Sequence, residues 1–211
     1  HGHGGTNSAS ALDGTAAGDL WDNTLIAKAN KPQAAASGNG LVVYKLPTIM
    51  DDLSAAVSYA SDGENVDGSS AYGVTYTGVE GLTVSFGQGN DQKTALDADQ
   101  TIMKAAYAYG SFTFTLSDND YDHTTGSKDQ SVRSYAVGYT LSDSISLTYG
   151  DTTIEKSGTT SDISVNGMTA SYTSGGMTLG LTSVEAKNVD HDTAGVNNDN
   201  EYWKVSLSFA F

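Results

Sequence analysis

Residues 201–211 read EYWKVSLSFAF, and this stretch decides the fold class. Large apolar side chains occupy every second position, at Trp203, Val205, Leu207, Phe209 and Phe211. They alternate with Lys204, Ser206, Ser208 and Ala210. Because successive side chains of an extended chain point to opposite faces, one face of this segment is apolar and the other is small or polar. The stretch therefore predicts a β-strand with two chemically different faces.

The same alternation recurs upstream of residue 201. Phe112, Phe114 and Leu116 alternate with threonines, and Tyr135, Val137, Tyr139 and Leu141 alternate with small residues. Further segments of this kind begin near residues 42, 53, 72, 82, 103, 145, 168 and 177. The sequence thus predicts an all-β chain with eleven strands between residues 41 and 211.

The predicted connections between these strands fall into two classes. Short links are expected at 47–52, 79–81, 110–111, 142–144 and 173–176, and long polar links at 60–69, 87–100, 117–130, 150–162 and 187–200. The two classes alternate along the chain. This alternation predicts an antiparallel up-and-down sheet with every short turn at one end and every long loop at the other.

Composition excludes several functional classes. The 211 residues carry 25 acidic and 10 basic side chains, a formal charge of −15, which argues against nucleic-acid binding because phosphates require a basic surface. The absence of cysteine excludes disulfides, thiolate metal sites and cysteine nucleophiles. No hydrolase, metalloprotease or nucleotide-binding motif is present, so we do not expect an enzyme.

The faces of the strands favour a membrane barrel over a soluble sheet. The second face consists mainly of Ser, Thr, Gly and Ala, and aromatic residues gather at strand ends, where an interfacial girdle would lie. Segments of about nine to eleven residues suit a tilted strand that crosses the hydrocarbon layer. Because lipid cannot satisfy an open sheet edge, such strands must close into a barrel. We therefore predict a transmembrane antiparallel β-barrel.

The final segment also resembles the closing strand of Gram-negative outer-membrane proteins, which typically ends in phenylalanine. The resemblance implies that Trp203, Val205, Leu207, Phe209 and Phe211 form the signal read by the barrel-assembly machinery. With the strand pattern, residues 41–211 resemble the carboxyl-terminal part of a general bacterial porin. Such porins are 16-stranded trimeric barrels in the outer membrane, in contact with lipid and lipopolysaccharide. The function implied is passive diffusion of small hydrophilic solutes and ions.

The resemblance also implies a topology for residues 1–40. If the chain ends in the periplasm, the first of the eleven strands descends, so residues 1–40 enter from the outer side. They would be the inward-folded constriction loop, and the eleven strands would be the last eleven of sixteen. An alternative is a twelfth strand within residues 20–29, LWDNTLIAKA.

Charged residues on the predicted pore wall are candidates for setting selectivity. Lys45, Lys104 and Lys204 alternate with lipid-facing residues and should point into the lumen as a basic wall. Asp13, Asp19 and Asp22 lie in the presumed inward loop and would form the acidic side. Arg133 shares its parity with Tyr135 and is expected near the rim. Together with the net charge, the pattern predicts a weak cation preference.

One acidic segment invites comparison with calcium sites. Asp118, Asp120, Asp122 and Asp129 have a spacing that imitates an EF-hand loop. His123, however, takes the place of the required glycine, and no terminal glutamate follows. The default interpretation is therefore a solvated acidic loop without a cofactor, and calcium bound in this outer loop is the alternative.

Two other readings fit parts of the pattern. The translocator domain of an autotransporter would also begin outside, although residues 1–40 are too broken by Gly, Asn and Pro for a pore-spanning helix. A secreted acidic β-rich adhesin would have strands without a bilayer. Detergent partitioning separates the adhesin from both barrels, and single-channel conductance in three equal steps favours the porin.

Overall fold

The computed structural model describes residue 26 and residues 41–47, 50–61, 68–93, 96–191 and 198–210. These ranges contain eleven strands: β1 Leu41–Lys45, β2 Leu53–Ala60, β3 Ser69–Val79, β4 Leu82–Lys93, β5 Leu96–Tyr109, β6 Phe112–His123, β7 Gln130–Ser142, β8 Ile145–Lys156, β9 Ile163–Ser174, β10 Met177–Lys187 and β11 Asn200–Phe209. In the same ranges, one 3₁₀ turn, Gly126–Lys128, precedes β7. Within these ranges no helix is long and apolar enough to span a bilayer.

All eleven strands belong to one antiparallel sheet in which each strand pairs with the next in sequence. The register is continuous along most ladders; Leu207, for example, pairs with Leu179, and Trp203 pairs with Ser183. Irregularities occur between Tyr76 and Val79 and between Thr140 and Ser142. The predicted all-β, up-and-down architecture is confirmed.

The sheet has two faces, which we name by their residues. The aromatic face is the one that carries Phe112, Phe114 and Leu116, and the hydroxyl face is the opposite one, which carries Thr113 and Thr115. One register row of the aromatic face runs through Tyr107, Phe114, Val137, Tyr149, Met168, Ser183 and Trp203. The large apolar members of this row are all exposed, Trp203 to 76%.

Small polar side chains make hydrogen bonds across neighbouring strands on the hydroxyl face. The hydroxyl oxygens of Ser117 and Ser134 lie 2.6 Å apart, and those of Ser146 and Ser171 lie 2.7 Å apart. Because these side chains are short, they extend little from the sheet. Their hydroxyl groups form hydrogen bonds with one another. The two faces thus have the chemistry that the alternation in the sequence predicted.

An apolar cluster covers part of the hydroxyl face near the long-link end of β7 to β10. Its members are buried: Val132, Ile154, Ile163, Val165, Val184, Ala186, Val189 and Ile26. Ile154 and Tyr149 belong to the same strand but face opposite sides. The apolar residues of a strand therefore change face partway along it.

This change of face corrects the predicted loops. Residues 87–100, 117–130 and 150–162 were expected to be long loops, but β4 extends to Lys93, β6 to His123 and β8 to Lys156. The link between β4 and β5 has shrunk to residues 94–95. In the half of each strand near the long links, polar residues occupy the aromatic face. The apolar alternation is interrupted there, and the sequence of that half resembles that of a loop. The pairing nevertheless continues.

The other end of the sheet has the predicted short turns. Two-residue links occupy positions 80–81, 110–111, 143–144 and 175–176. Gly81, Gly110 and Gly175 have φ of 77°, 58° and 57°, a region that glycine enters without a steric penalty. These glycines allow the tight reversals.

Candidate functional site on the hydroxyl face

The three lysines predicted to line a pore all lie on the hydroxyl face. Lys104 stands between Ser85 and Ser117 in the register, Lys45 lies opposite Ala56, and Lys204 lies opposite Thr182. Lys104 is half-buried, whereas Lys45 and Lys204 are exposed. The register thus agrees with the parity expected from the sequence, and a role in selectivity stays a prediction.

A fourth lysine joins them. Lys156 lies opposite Gln130 on the hydroxyl face. Sequence reasoning missed Lys156 because it placed residues 150–162 in a loop. Recognising that Ile154 continues the strand in the opposite phase would have found it.

Carboxylates are distributed in the opposite way. Among the strand side chains that the structure describes, every carboxylate lies on the aromatic face: Asp97, Asp99, Asp118, Asp120, Asp122, Asp151, Glu155, Glu185 and Glu201. They follow the apolar rows toward the long-link end; Asp118, for instance, comes directly after Leu116 on β6. The described strand carboxylates are therefore confined to the aromatic face, whereas basic groups occur on both faces: four lysines on the hydroxyl face, and Arg133 and Lys187 on the aromatic face.

Arg133 marks the boundary between apolar and acidic rows on the aromatic face. It lies next beyond Tyr135 on β7, and its expected position near a rim stays a prediction. Its guanidinium nitrogens lie 3.5 Å from the Asp118 carboxylate and 3.3 Å from the Glu155 carboxylate. All three side chains are well exposed, so these ion pairs contribute little to stability.

A groove of about 530 Å³ crosses the same boundary. Phe86, Met103, Leu116 and Tyr135 supply apolar lining, and Arg133 lies among its polar residues with Asp118 and Asp151. A molecule in this groove would contact apolar side chains along its floor and charged side chains at its edge.

The proposed calcium residues do not form an EF-hand loop. Asp118, Asp120 and Asp122 belong to strand β6 and share the aromatic face, so the expectation of a loop there is wrong. Asp129 follows the 3₁₀ turn, and its carboxylate accepts a hydrogen bond of 2.8 Å from the His123 backbone N–H. No group of three or more His, Cys, Asp or Glu side chains in the described ranges is arranged to hold a metal ion. Calcium binding stays a prediction.

Several predicted residues lie outside the described ranges. They include Asp13, Asp19, Asp22 and Phe211. The segment 20–29, apart from Ile26, also lies outside these ranges. Ile26 packs in the apolar cluster on the hydroxyl face. The inward loop across residues 1–40 and its acidic side stay predictions.

The predicted assembly signal lies on β11, the last strand of the sheet that the described residues form. Trp203, Val205, Leu207 and Phe209 are exposed on the aromatic face of β11. Their arrangement agrees with the alternation in the sequence, and recognition by an assembly machinery stays a prediction.

Comparison with solved structures identifies the fold. The anion-selective porin from Comamonas acidovorans superimposes with a TM-score of 0.63 at 17% identity, over 83% of this chain and 60% of the porin. OmpT, an outer-membrane protein of Vibrio cholerae, gives 0.56 at 15% identity, over 82% of this chain and 65% of its own length. OccK10 of Pseudomonas aeruginosa gives a TM-score of 0.55 at 11% identity, over 75% of this chain and 58% of OccK10.

This chain spans about 60% of the length of the porin from Comamonas acidovorans. No protein-family model matches the sequence. No curated protein matches it either. The similarity is therefore one of architecture, with little shared sequence. On that basis, the chain has the antiparallel β-sheet fold of outer-membrane porins.

Proposed function

We propose that the chain forms the wall of a water-filled β-barrel channel in the outer membrane of a Gram-negative bacterium. Small hydrophilic solutes and ions would diffuse through it passively, without covalent chemistry. The observation that carries the proposal is the division of the sheet into an exposed aromatic face and a hydroxyl face. Acyl chains suit the first face and water suits the second.

The aromatic face weighs against a secreted adhesin. A soluble β-protein buries its large apolar rows, because contiguous exposed patches of this extent favour aggregation. Phe209 is 55% exposed and Leu207 is 54% exposed, as expected for side chains in contact with lipid. The translocator of an autotransporter would share this feature, so channel measurements must separate the two.

The proposal extends to partners. Outer-membrane lipid and lipopolysaccharide would contact the aromatic face, and the groove beside Arg133 offers a place for an acyl chain below a polar group. A homotrimer would follow if the architecture of general porins applies, and the barrel-assembly machinery would read the segment that ends at Phe211. The apolar side chains of β11 are accessible for such recognition.

Ion preference depends on which charges a permeating ion meets. The total charge of −15 favours weak cation preference. The described strands favour the opposite sign, because Lys45, Lys104, Lys156 and Lys204 lie on the hydroxyl face. Charges more than about 8 Å away are largely screened at physiological salt. We therefore propose that this wall favours anions, as the name of the Comamonas acidovorans porin states for that protein.

Planar-bilayer recordings of the full chain test the channel. Stepwise conductance that persists in a salt gradient would support it, and three equal steps per insertion would favour a trimeric porin over a translocator. A preparation that inserts into bilayers but gives no conductance would contradict a water-filled lumen.

Lys104→Glu tests the wall charges. We expect the reversal potential in a salt gradient to shift toward cation preference, because the substitution reverses one charge on the hydroxyl face. Lys187→Glu is the matched control, since Lys187 lies on the aromatic face and is half-exposed. Equal shifts in both variants, or none in Lys104→Glu, would show that the wall lysines do not set the preference.

A further inference from the structure

Two neighbouring links at the long-link end are joined by backbone and side-chain hydrogen bonds. We call the joined segments, residues 157–162 and 188–191, the histidine latch. The His191 carbonyl accepts a hydrogen bond of 3.3 Å from the Ser161 backbone N–H and one of 3.0 Å from the Thr160 hydroxyl. The Asn188 side-chain amide donates to the Asp162 carbonyl at 3.1 Å. The latch therefore ties the β8–β9 link to the β10–β11 link.

The ring of His191 lies at the centre of the latch. The residue is only 3% exposed, and its Nδ1 lies 3.1 Å from the Ser161 carbonyl oxygen. Because a carbonyl can only accept, the neutral ring carries its proton on Nδ1 there. Nε2 is buried and has no hydrogen-bond partner among the residues that the structure describes. A second proton would bind to Nε2. It would place a positive charge on a buried N–H group for which no hydrogen-bond acceptor is described.

Backbone conformation adds to the constraint. Asn188 and His191 have φ of 55° and 57°, in the left-handed region. The His191 backbone N–H donates to the Asn188 carbonyl at 2.7 Å, which closes a tight turn. Between them, Val189 is buried in the apolar cluster that also holds Ile26. The latch therefore fixes one side of that cluster.

The charged groups around His191 do not compensate for its burial. Burial lowers the pKa of His191 below its ordinary value of 6.5, and Lys156 lowers it further. The hydrogen bond to the Ser161 carbonyl raises the pKa by more than Lys156 lowers it but by less than burial does, and the carboxylates of Asp162 and Asp190 raise it by less than Lys156 lowers it. The neutral ring therefore fits the closed latch, and the protonated ring fits an open one.

We propose that the histidine latch is an acid-sensitive connection that opens when the ring of His191 takes up a proton. The direction of the pH dependence follows from the lowered pKa of His191 in the folded protein. A hydrated ring in the open latch binds a proton more readily than the buried ring in the closed latch. The latch is most stable above the ordinary pKa of histidine, and this stability is lost as the pH falls. Opening releases Val189 and loosens the cluster around Ile26. The inference is independent of ion conduction.

Hydrogen–deuterium exchange on the full chain in liposomes tests the latch. Rates are compared at pH 7.5 and pH 5 after correction for intrinsic exchange. In the wild type, we expect the amides of Ser161, Val189 and His191 to lose protection by about tenfold or more at pH 5, one pKa unit corresponding to a tenfold change. The amides in the middle of β10 should keep their protection at both pH values.

His191→Asn is the decisive variant. Asparagine tolerates the left-handed backbone and can donate to the Ser161 carbonyl, but it does not titrate. We expect protection of the latch at both pH values. His123→Asn is the matched control, because His123 is another buried histidine, at the end of β6 and outside the latch, and the acid response of the latch should survive its replacement.

Two results would overturn the proposal: latch protection in the wild type that does not change with pH, or an acid response in His191→Asn equal to that of the wild type. If His191→Asn does not fold, Thr160→Val provides the test. This variant removes one donor to the His191 carbonyl and should lower protection at pH 7.5 while a further loss remains at pH 5. An unchanged protection at both pH values would contradict the latch as described.

Discussion

Neighbouring residues on β11 experience opposite environments. Leu207 is more than half exposed on the aromatic face and pairs with Leu179, whereas Ser206 faces the hydroxyl side opposite Gly180. A Cβ at position 180 would lie 2.5 Å from the Ser206 hydroxyl oxygen, so glycine there leaves room for the serine. One step along the chain thus moves a side chain from a lipid-like surface to a polar one.

The contrast predicts a large difference between two arginine substitutions. Leu207→Arg should destabilise the protein by about 2–4 kcal/mol, because a charge would face the middle of the bilayer. Ser206→Arg should cost much less, because its guanidinium would reach water. Urea unfolding of both variants in liposomes measures the difference. Similar losses for the two would show that the faces do not differ in solvent.

Individual positions were predictable where the alternation is unbroken. The parity of Lys104 follows from Met103 and Ala105, and the structure places it accordingly. The positions of Asp118 to Asp122 were not recognised as a strand, because aspartates on the face that carries Leu116 interrupt the apolar row. A carboxylate there is compatible with strand pairing as soon as the face meets water instead of lipid.

At the scale of elements, each long strand combines two patterns. On β9, Ile163 and Val165 point to the hydroxyl face, whereas Met168 and Tyr172 point to the aromatic face. Apolar residues follow whichever face is shielded from water: the aromatic face in one half and the cluster around Ile26 in the other. Sequence periodicity identifies the first half of such a strand, and the change of phase hides the second.

For two glycines in the short turns, both with positive φ, we predict different losses of stability on substitution by alanine. Gly81 has φ of 77°, and a Cβ there would lie 2.5 Å from the Ala108 carbonyl oxygen. Gly110 has φ of 58°, and apart from its chain neighbours no described atom lies within 4 Å of the corresponding position. Gly110→Ala should cost about 1–2 kcal/mol from the left-handed backbone alone. Gly81→Ala should cost more, because the backbone must also move.

Thermal unfolding of the two turn variants in the same detergent gives the comparison. A lower midpoint for Gly81→Ala than for Gly110→Ala is expected. The opposite order would mean that the contact with Ala108 does not constrain the turn between β3 and β4.

For the molecule as a whole, the order of the eleven strands was predictable because each short link forces neighbouring strands to pair. The confinement of carboxylates to the aromatic face was not, because the five carboxylates on β6 and β8 were assigned to loops. The apolar cluster was hidden for a related reason: it joins residues from β7 to β10 with Ile26, far away in sequence. Pairing depends on local pattern, whereas such packing depends on the finished sheet.

The central claim is that the aromatic face meets acyl chains and the hydroxyl face meets water. The chain has no cysteine, so single cysteines at positions 203–209 can carry nitroxide labels without background. In liposomes, labels at 203, 205, 207 and 209 should collide mainly with oxygen, which concentrates in lipid. Labels at 204, 206 and 208 should collide mainly with a water-soluble nickel chelate. Equal access of the chelate to both sets, or shielding of 205 and 207 from both reagents, would contradict the account.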